Sequence, residues 1–140
     1  MKDSAVIIIP SHPRYLSVVR AVTVRMGELC GMADAELEDV KLAVDEACSN
    51  VIKYAYGGNT DKRIVVRFKI TQKGFEVVIE DSGLKADIDS LKGRSLSDVR
   101  PGGLGIHLIR RAFDVVDFDD KKKRGNRLRL IRYMKEKNGD

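Results

Sequence analysis

Tryptophan is absent from this 140-residue chain, and aromatic residues make up only 6% of it. A core with few large rings must be built from aliphatic side chains, and a hydrophobic content of 43% supplies them. Cysteine is scarce as well. Cys30 and Cys48 have no metal-ligand spacing and are too few for a disulfide framework. Both fall on apolar helical faces, where a free thiol acts as a small hydrophobe, and reduced thiols suit a cytoplasmic protein. Long apolar runs are missing too. The N-terminus offers only Ala5–Ile9, too short for a signal-peptide core or a membrane span. No internal repeat or low-complexity linker interrupts the chain. Its length and composition are those of one compact domain, 1–140.

Charge is plentiful, at 34% of residues, and its balance is basic, with a net charge of +5. That balance permits a nucleic-acid or membrane surface as partner without indicating one. The densest run is Lys121-Lys122-Lys123-Arg124, just before Gly125-Asn126. Like-charge runs are usually solvated, so the run reads as the tip of a hairpin, and neither direct nucleic-acid nor membrane binding is expected.

Hydrophobic spacing orders the elements. Ala5–Ile9 is short, β-branched and closed by Pro10, the pattern of a strand. Leu16, Val19, Val22, Met26 and Leu29 recur at three- and four-residue steps, predicting a helix that follows Pro13 and ends near Gly31. A second helix is expected from an Asp34 N-cap, through Leu37, Val40, Ala47 and Val51, to a stop before Gly57-Gly58. Ile64, Val66, Phe68 and Ile70 alternate with polar or exposed positions, and Phe75, Val77 and Ile79 return after a Lys73-Gly74 turn. A polar stretch from Ser82 to Pro101 precedes a third helix with Ile106, Ile109 and Phe113. Val115–Phe118 and Leu128–Ile131 form a last hairpin. Strands grouped apart from helices predict an α+β fold, a two-layer sandwich with a largely antiparallel sheet.

Three constellations carry chemistry. Glu46 and Asn50 stand one turn apart on the second helix, at the edge of its apolar stripe. A carboxylate and an amide oxygen so placed can order the waters of Mg²⁺, which takes few protein ligands. Asp81-Ser82-Gly83 ends an apolar strand. A buried carboxylate there can accept from an exocyclic amine, and Gly83 allows a flat ring close to the backbone. Gly102-Gly103-Leu104-Gly105 opens the third helix, where backbone N–H groups at the positive end suit phosphate. It is neither a P-loop nor a dinucleotide fingerprint. His107, one turn on, reads as a packed or surface residue.

The three motifs in this order resemble the histidine-kinase-like (GHKL) ATPase superfamily, and within it the bacterial anti-sigma-factor serine/threonine kinases. The matching segments are Val44–Tyr56, Glu80–Gly83 and Gly102–Asp117, and the layout agrees from about Ala5 to Tyr133. The resemblance implies the Bergerat-type sandwich, with a mixed, mostly antiparallel sheet and helices on one face. It implies ATP and Mg²⁺ as cofactors. Asn50 is then the Mg²⁺ ligand, Glu46 the general base, Asp81 the adenine acceptor with Gly83 beside the ring, and Gly103, Leu104 and Gly105 the phosphate contacts. Leu84–Pro101 would be a lid, with Lys85, Lys92, Arg94 or Arg100 as phosphate contacts. Lys85 stands where the family often has a second glycine, and Tyr54 where histidine is common. The implied activity is a cytoplasmic serine/threonine kinase that phosphorylates an anti-sigma-factor antagonist of the STAS type and sequesters a sigma factor, with Arg20 as a partner contact and a homodimer as the assembly. The alternative is a nucleotide-binding anti-sigma module without kinase turnover.

Overall fold

A computed structural model describes residues 3–86, 103–119 and 121–134. Among these residues five strands form one sheet: β1 (Asp3–Pro10), β2 (Arg63–Ile70), β3 (Gly74–Asp81), β4 (Val115–Phe118) and β5 (Asn126–Tyr133). Their spatial order is β1-β2-β3-β5-β4, and every neighbouring pair is antiparallel. Three helices pack with this sheet: α1 (Leu16–Leu29), α2 (Asp34–Asn50) and α3 (Gly103–Ala112). The α+β sandwich and its antiparallel sheet are as the sequence pattern predicts. No helix among the described residues is long and apolar enough to cross a membrane.

Register decides which side chains share a face, because residues directly opposite each other point the same way. Ile9 pairs with Ile64, Val66 with Ile79, Phe68 with Val77, and Ile79 with Leu128. These residues are all buried and form the sheet side of the core. Val19 of α1, Val40, Val44 and Ala47 of α2, and Ile106 and Ile109 of α3 close it from the helix side. Phe68 and Phe75, whose centroids lie 6.2 Å apart, are fully buried, and Phe113 belongs to the same core. The opposite face carries Arg67, Val78 and Arg129 in one cross-strand row. Val78 is buried there, between two arginines that reach Glu80 and Glu76. Their aliphatic stems flank it while the charged ends stay in water.

Two helix boundaries differ from expectation. Asp34 is the first residue of α2 rather than its cap; Ala33 holds the cap position in an extended conformation. Alanine has no side-chain acceptor, so the reciprocal arrangement is half made: Glu36 Oε1 accepts from the Ala33 N–H at 3.2 Å. At its other end α2 runs into a π-helical turn, Val51–Ala55, where the Tyr56 N–H donates to the Val51 carbonyl at 2.9 Å. Wider turns of this kind are rare and frequent at functional sites. Gly57 and Gly58, both at positive φ, then end the helix as the sequence suggests.

Arg132 ties the far end of the molecule together. Its guanidinium donates to Glu36 Oε2 at 3.1 and 3.2 Å and to the Ala112 carbonyl at 2.8 Å, so one side chain joins β5, the start of α2 and the end of α3. Phe68→Ala is expected to lower stability by about 3–5 kcal/mol, against under about 0.5 kcal/mol for Val6→Ala on the exposed edge. Urea midpoints for the two variants check this.

Candidate functional site

Three separate stretches meet at the end of the sheet where β3 finishes. Asp81 is buried there and pairs across the ladder with Asn126, the first residue of β5. Asp81 Oδ1 accepts from the Gly83 N–H at 2.9 Å and from Asn126 Nδ2 at 3.0 Å; Oδ2 takes only a longer bond from the same amide, 3.2 Å. A carboxylate has about four lone-pair sites, so Oδ2 keeps capacity for another donor. Burial raises the Asp81 pKa, and it outweighs the bonds from Gly83 and Asn126 and the nearby Lys122 charge, which pull it down.

Asn126 does more than face Asp81. Its Nδ2 also donates to the Leu84 carbonyl at 2.8 Å, and its Oδ1 accepts from the Ala86 N–H at 2.7 Å. One amide thus fixes the chain on both sides of Lys85. Lys122, from the basic run, reaches the Asp81 carbonyl at 3.3 Å and Glu80 at 3.5 Å. It is bound into the site, whereas Lys121, Lys123 and Arg124 are exposed, as a solvated hairpin tip requires.

The turn after Asp81 is docked onto the end of the α2 helix. The Leu84 N–H donates to the Ala55 carbonyl at 2.7 Å. The Tyr56 hydroxyl accepts from the Ser82 N–H at 3.0 Å and donates to the Arg63 carbonyl. Space is the constraint at Gly83, where a Cβ would overlap the Ala55 carbonyl. At Gly125, which has φ +70°, a Cβ would overlap the Asp81 carbonyl. The turn is therefore held between two backbones that approach too closely for any side chain.

Glu46 and Asn50 lie on the last turns of α2, just before this docking point. Both are half-buried, and neither side chain bonds to another described residue. Arg20 turns toward α2 rather than to open solvent. Its guanidinium pairs with Asp45 at 2.6 Å, beside Glu46. Gly103, Leu104 and Gly105 are the first residues of α3. The end of that helix lies by the start of α2: Arg111 is 3.9 Å from Asp39, and Arg132 bonds both Glu36 and the Ala112 carbonyl. The stretch 87–102, which holds most of the expected lid with Lys92, Arg94 and Arg100, and also Gly102 of the glycine motif, lies outside the described residues.

Cys48 is fully buried, with its thiol pushed up to about 12 chiefly by burial, so it is unreactive. His107 is half-buried on α3. Among the described residues no three of His, Cys, Asp and Glu cluster as a metal site. Asn126 and Tyr56 are not legible in the sequence as site residues, because only strand register and the docked turn bring them to Asp81.

The described residues place a buried carboxylate at the end of β3, in a turn docked onto the end of the helix that carries Glu46 and Asn50. Residues 9–132 match the histidine kinase-like ATPase domain. The chain belongs to that family. It is 30% identical to the serine-protein kinase RsbW of Listeria innocua serovar 6a, an alignment covering 98% of this chain and 91% of that protein. It is also 28% identical to the serine-protein kinase RsbW of Bacillus subtilis strain 168, over 83% of this chain and 79% of that one.

The docked turn has two measurable consequences. Tyr56→Phe is expected to cost about 1 kcal/mol by leaving two backbone groups unpaired, and to speed hydrogen exchange at the Ser82 amide. An unchanged exchange rate would contradict the tie. Because the folded-state pKa of Asp81 is raised, its ionisation opposes folding: the wild type loses stability relative to Asp81→Asn as pH rises through that pKa, and regains parity in acid. Thermal melts of both proteins across the carboxylate range would show the gap widening with pH.

Proposed function

We propose that this chain, as a single ATPase domain in the cytoplasm, is an ATP-dependent serine/threonine protein kinase whose substrate is an anti-sigma-factor antagonist, and that it also sequesters a sigma factor. The observation that carries the reading is the docking of the Asp81 turn onto the end of the Glu46–Asn50 helix. Family membership supports ATP as the nucleotide, and relatives named serine-protein kinases support transfer to a protein hydroxyl.

Asp81 Oδ2 accepts from the adenine amino group, and Gly83 leaves the ring room against the backbone. Asn50 offers its amide oxygen to Mg²⁺, and the first N–H groups of α3, at Gly103, Leu104 and Gly105, take the phosphates. The donor set fits this metal: Mg²⁺ accepts one or two protein ligands and otherwise keeps water and phosphate oxygens. Asn50 is half-buried and uncommitted, and a closed cage of acidic ligands is absent among the described residues. When bound, Mg²⁺ neutralises charge on the triphosphate. Glu46, one turn earlier and also uncommitted, takes the proton from the incoming serine or threonine hydroxyl. The rest of the protein's task is positioning.

Phosphate added to the antagonist places about two negative charges in the interface and releases it. The freed kinase then holds the sigma factor. Arg20, braced by Asp45 next to the proposed base, is the partner contact, and a homodimer is the assembly.

Incubation with γ-labelled ATP, Mg²⁺ and a STAS-type antagonist tests the reading. Label on the antagonist is the expected result; normal ATP binding without transfer would leave a binding module. Glu46→Ala is expected to keep ATP affinity and slow transfer by about 10²–10⁴-fold. Asn50→Ala is expected to weaken ATP binding in Mg²⁺ but not in EDTA, as calorimetry would read.

A further inference from the structure

A cleft of about 520 Å³ opens on the solvent side of the docked turn, lined by Tyr56, Ser82, Gly83 and four cations: Lys62, Lys85, Lys123 and Arg124. These cations come from three parts of the chain: the link between α2 and β2, the stretch after the turn, and the β4–β5 hairpin. Among the described residues no carboxylate lines the cleft, and neither Asp81, Asn50 nor Glu46 does. Several cations elsewhere meet acids: Arg67 with Glu80, Arg129 with Glu76, Arg132 with Glu36. Lys62, Lys123 and Arg124 have no ion pair among the described residues and are exposed.

Bringing like charges together from distant parts of a chain costs free energy unless an anion answers them. The hairpin that brings Lys123 and Arg124 here is fixed in place. Gly125 lies against the Asp81 carbonyl and Lys122 bonds that same carbonyl, so the backbone next to Lys123 and Arg124 is anchored beside the turn. We propose that this cleft docks an acidic, Asp/Glu-rich segment of a partner protein on the solvent side of the Asp81 turn. The choice of a protein over a nucleic acid rests on the kinase reading above, and on the lack of a stacking platform among the described residues. The aromatic residue in the cleft, Tyr56, has its hydroxyl engaged in holding the turn. Because Gly83 and Ser82 belong both to the cleft and to the turn, an occupant presses on the backbone that positions Asp81.

The test uses the full chain with two fluorescent probes, an oligo-glutamate peptide and an oligothymidylate of equal length. Binding is read by anisotropy, with ATP affinity measured separately. The triple variant K62E/K123E/R124E is compared with R25E/K73E/R110E, which changes net charge equally at sites away from the cleft. The peptide is expected to bind the wild type, weakening as salt rises from roughly 50 to 200 mM. The cleft variant should bind it about tenfold or more weakly and the control within about threefold, since clustered cations act locally. Equal losses in the two variants, or tighter cleft-dependent binding of the oligothymidylate, would overturn the proposal. Absent ATP binding in a wild type that still binds the peptide through the cleft would overturn the kinase reading alone.

Discussion

The contact between the Gly83 backbone and the Ala55 carbonyl sets the geometry of the whole site. Strand β3 delivers Asp81 to the sheet's end, but a strand end alone does not orient the residues after it. The Leu84–Ala55 hydrogen bond and the Tyr56 hydroxyl lock Ser82, Gly83 and Leu84 onto the end of α2. On the other side Gly125 admits the β5 hairpin equally closely. Each approach needs a missing side chain, and each converts a loose turn into a fixed one. The carboxylate of Asp81 and the helix bearing Asn50 are then parts of one rigid unit rather than two elements that happen to be near.

That unit depends on the irregular end of α2. A regular α-helix would continue its i→i−4 ladder through Tyr56, whereas the wider turn hands the Tyr56 N–H to Val51. Widening the helix rotates and displaces its final residues, so the Ala55 carbonyl and the Tyr56 ring meet the Asp81 turn where they do. At the opposite end Arg132 fixes α2 and α3 against β5 through Glu36 and Ala112. The end of α3 is thereby held to the start of α2, while the end of α2 holds the Asp81 turn.

Much of this is legible in the amino-acid order, for local reasons. Alternation at Ile64, Val66 and Phe68, and three-to-four spacing from Leu16 to Leu29, are consequences of backbone period alone. Asp81-Ser82-Gly83 stands out because it ends an apolar strand. The hidden part is long-range. Asn126 is the partner of Asp81 only once β3 and β5 are paired in register, and from sequence it reads as the end of a basic turn. Tyr56 looks like the last hydrophobic residue of a helix until its hydroxyl is seen between Ser82 and Arg63. Asp34 has the side chain of a cap but does not hold that position, because the chain enters the helix one residue earlier. Arg20 looks exposed by helical phase, and its turn toward Asp45 needs the angle between two helices.

The environment of Asp81 shows what such a site costs the fold. Folding alone would favour an asparagine or an apolar residue there, because taking a carboxylate out of water opposes ionisation. Hydrogen bonds from Gly83 and Asn126, and the nearby Lys122 charge, soften that penalty. They do not remove it, and they leave Oδ2 the less satisfied oxygen. A fully satisfied carboxylate would be more stable but would have nothing left to offer a ligand amine. If Asp81 takes the ligand amine proposed above, Oδ2 is the oxygen left for it, and stability is given up at this buried position for recognition.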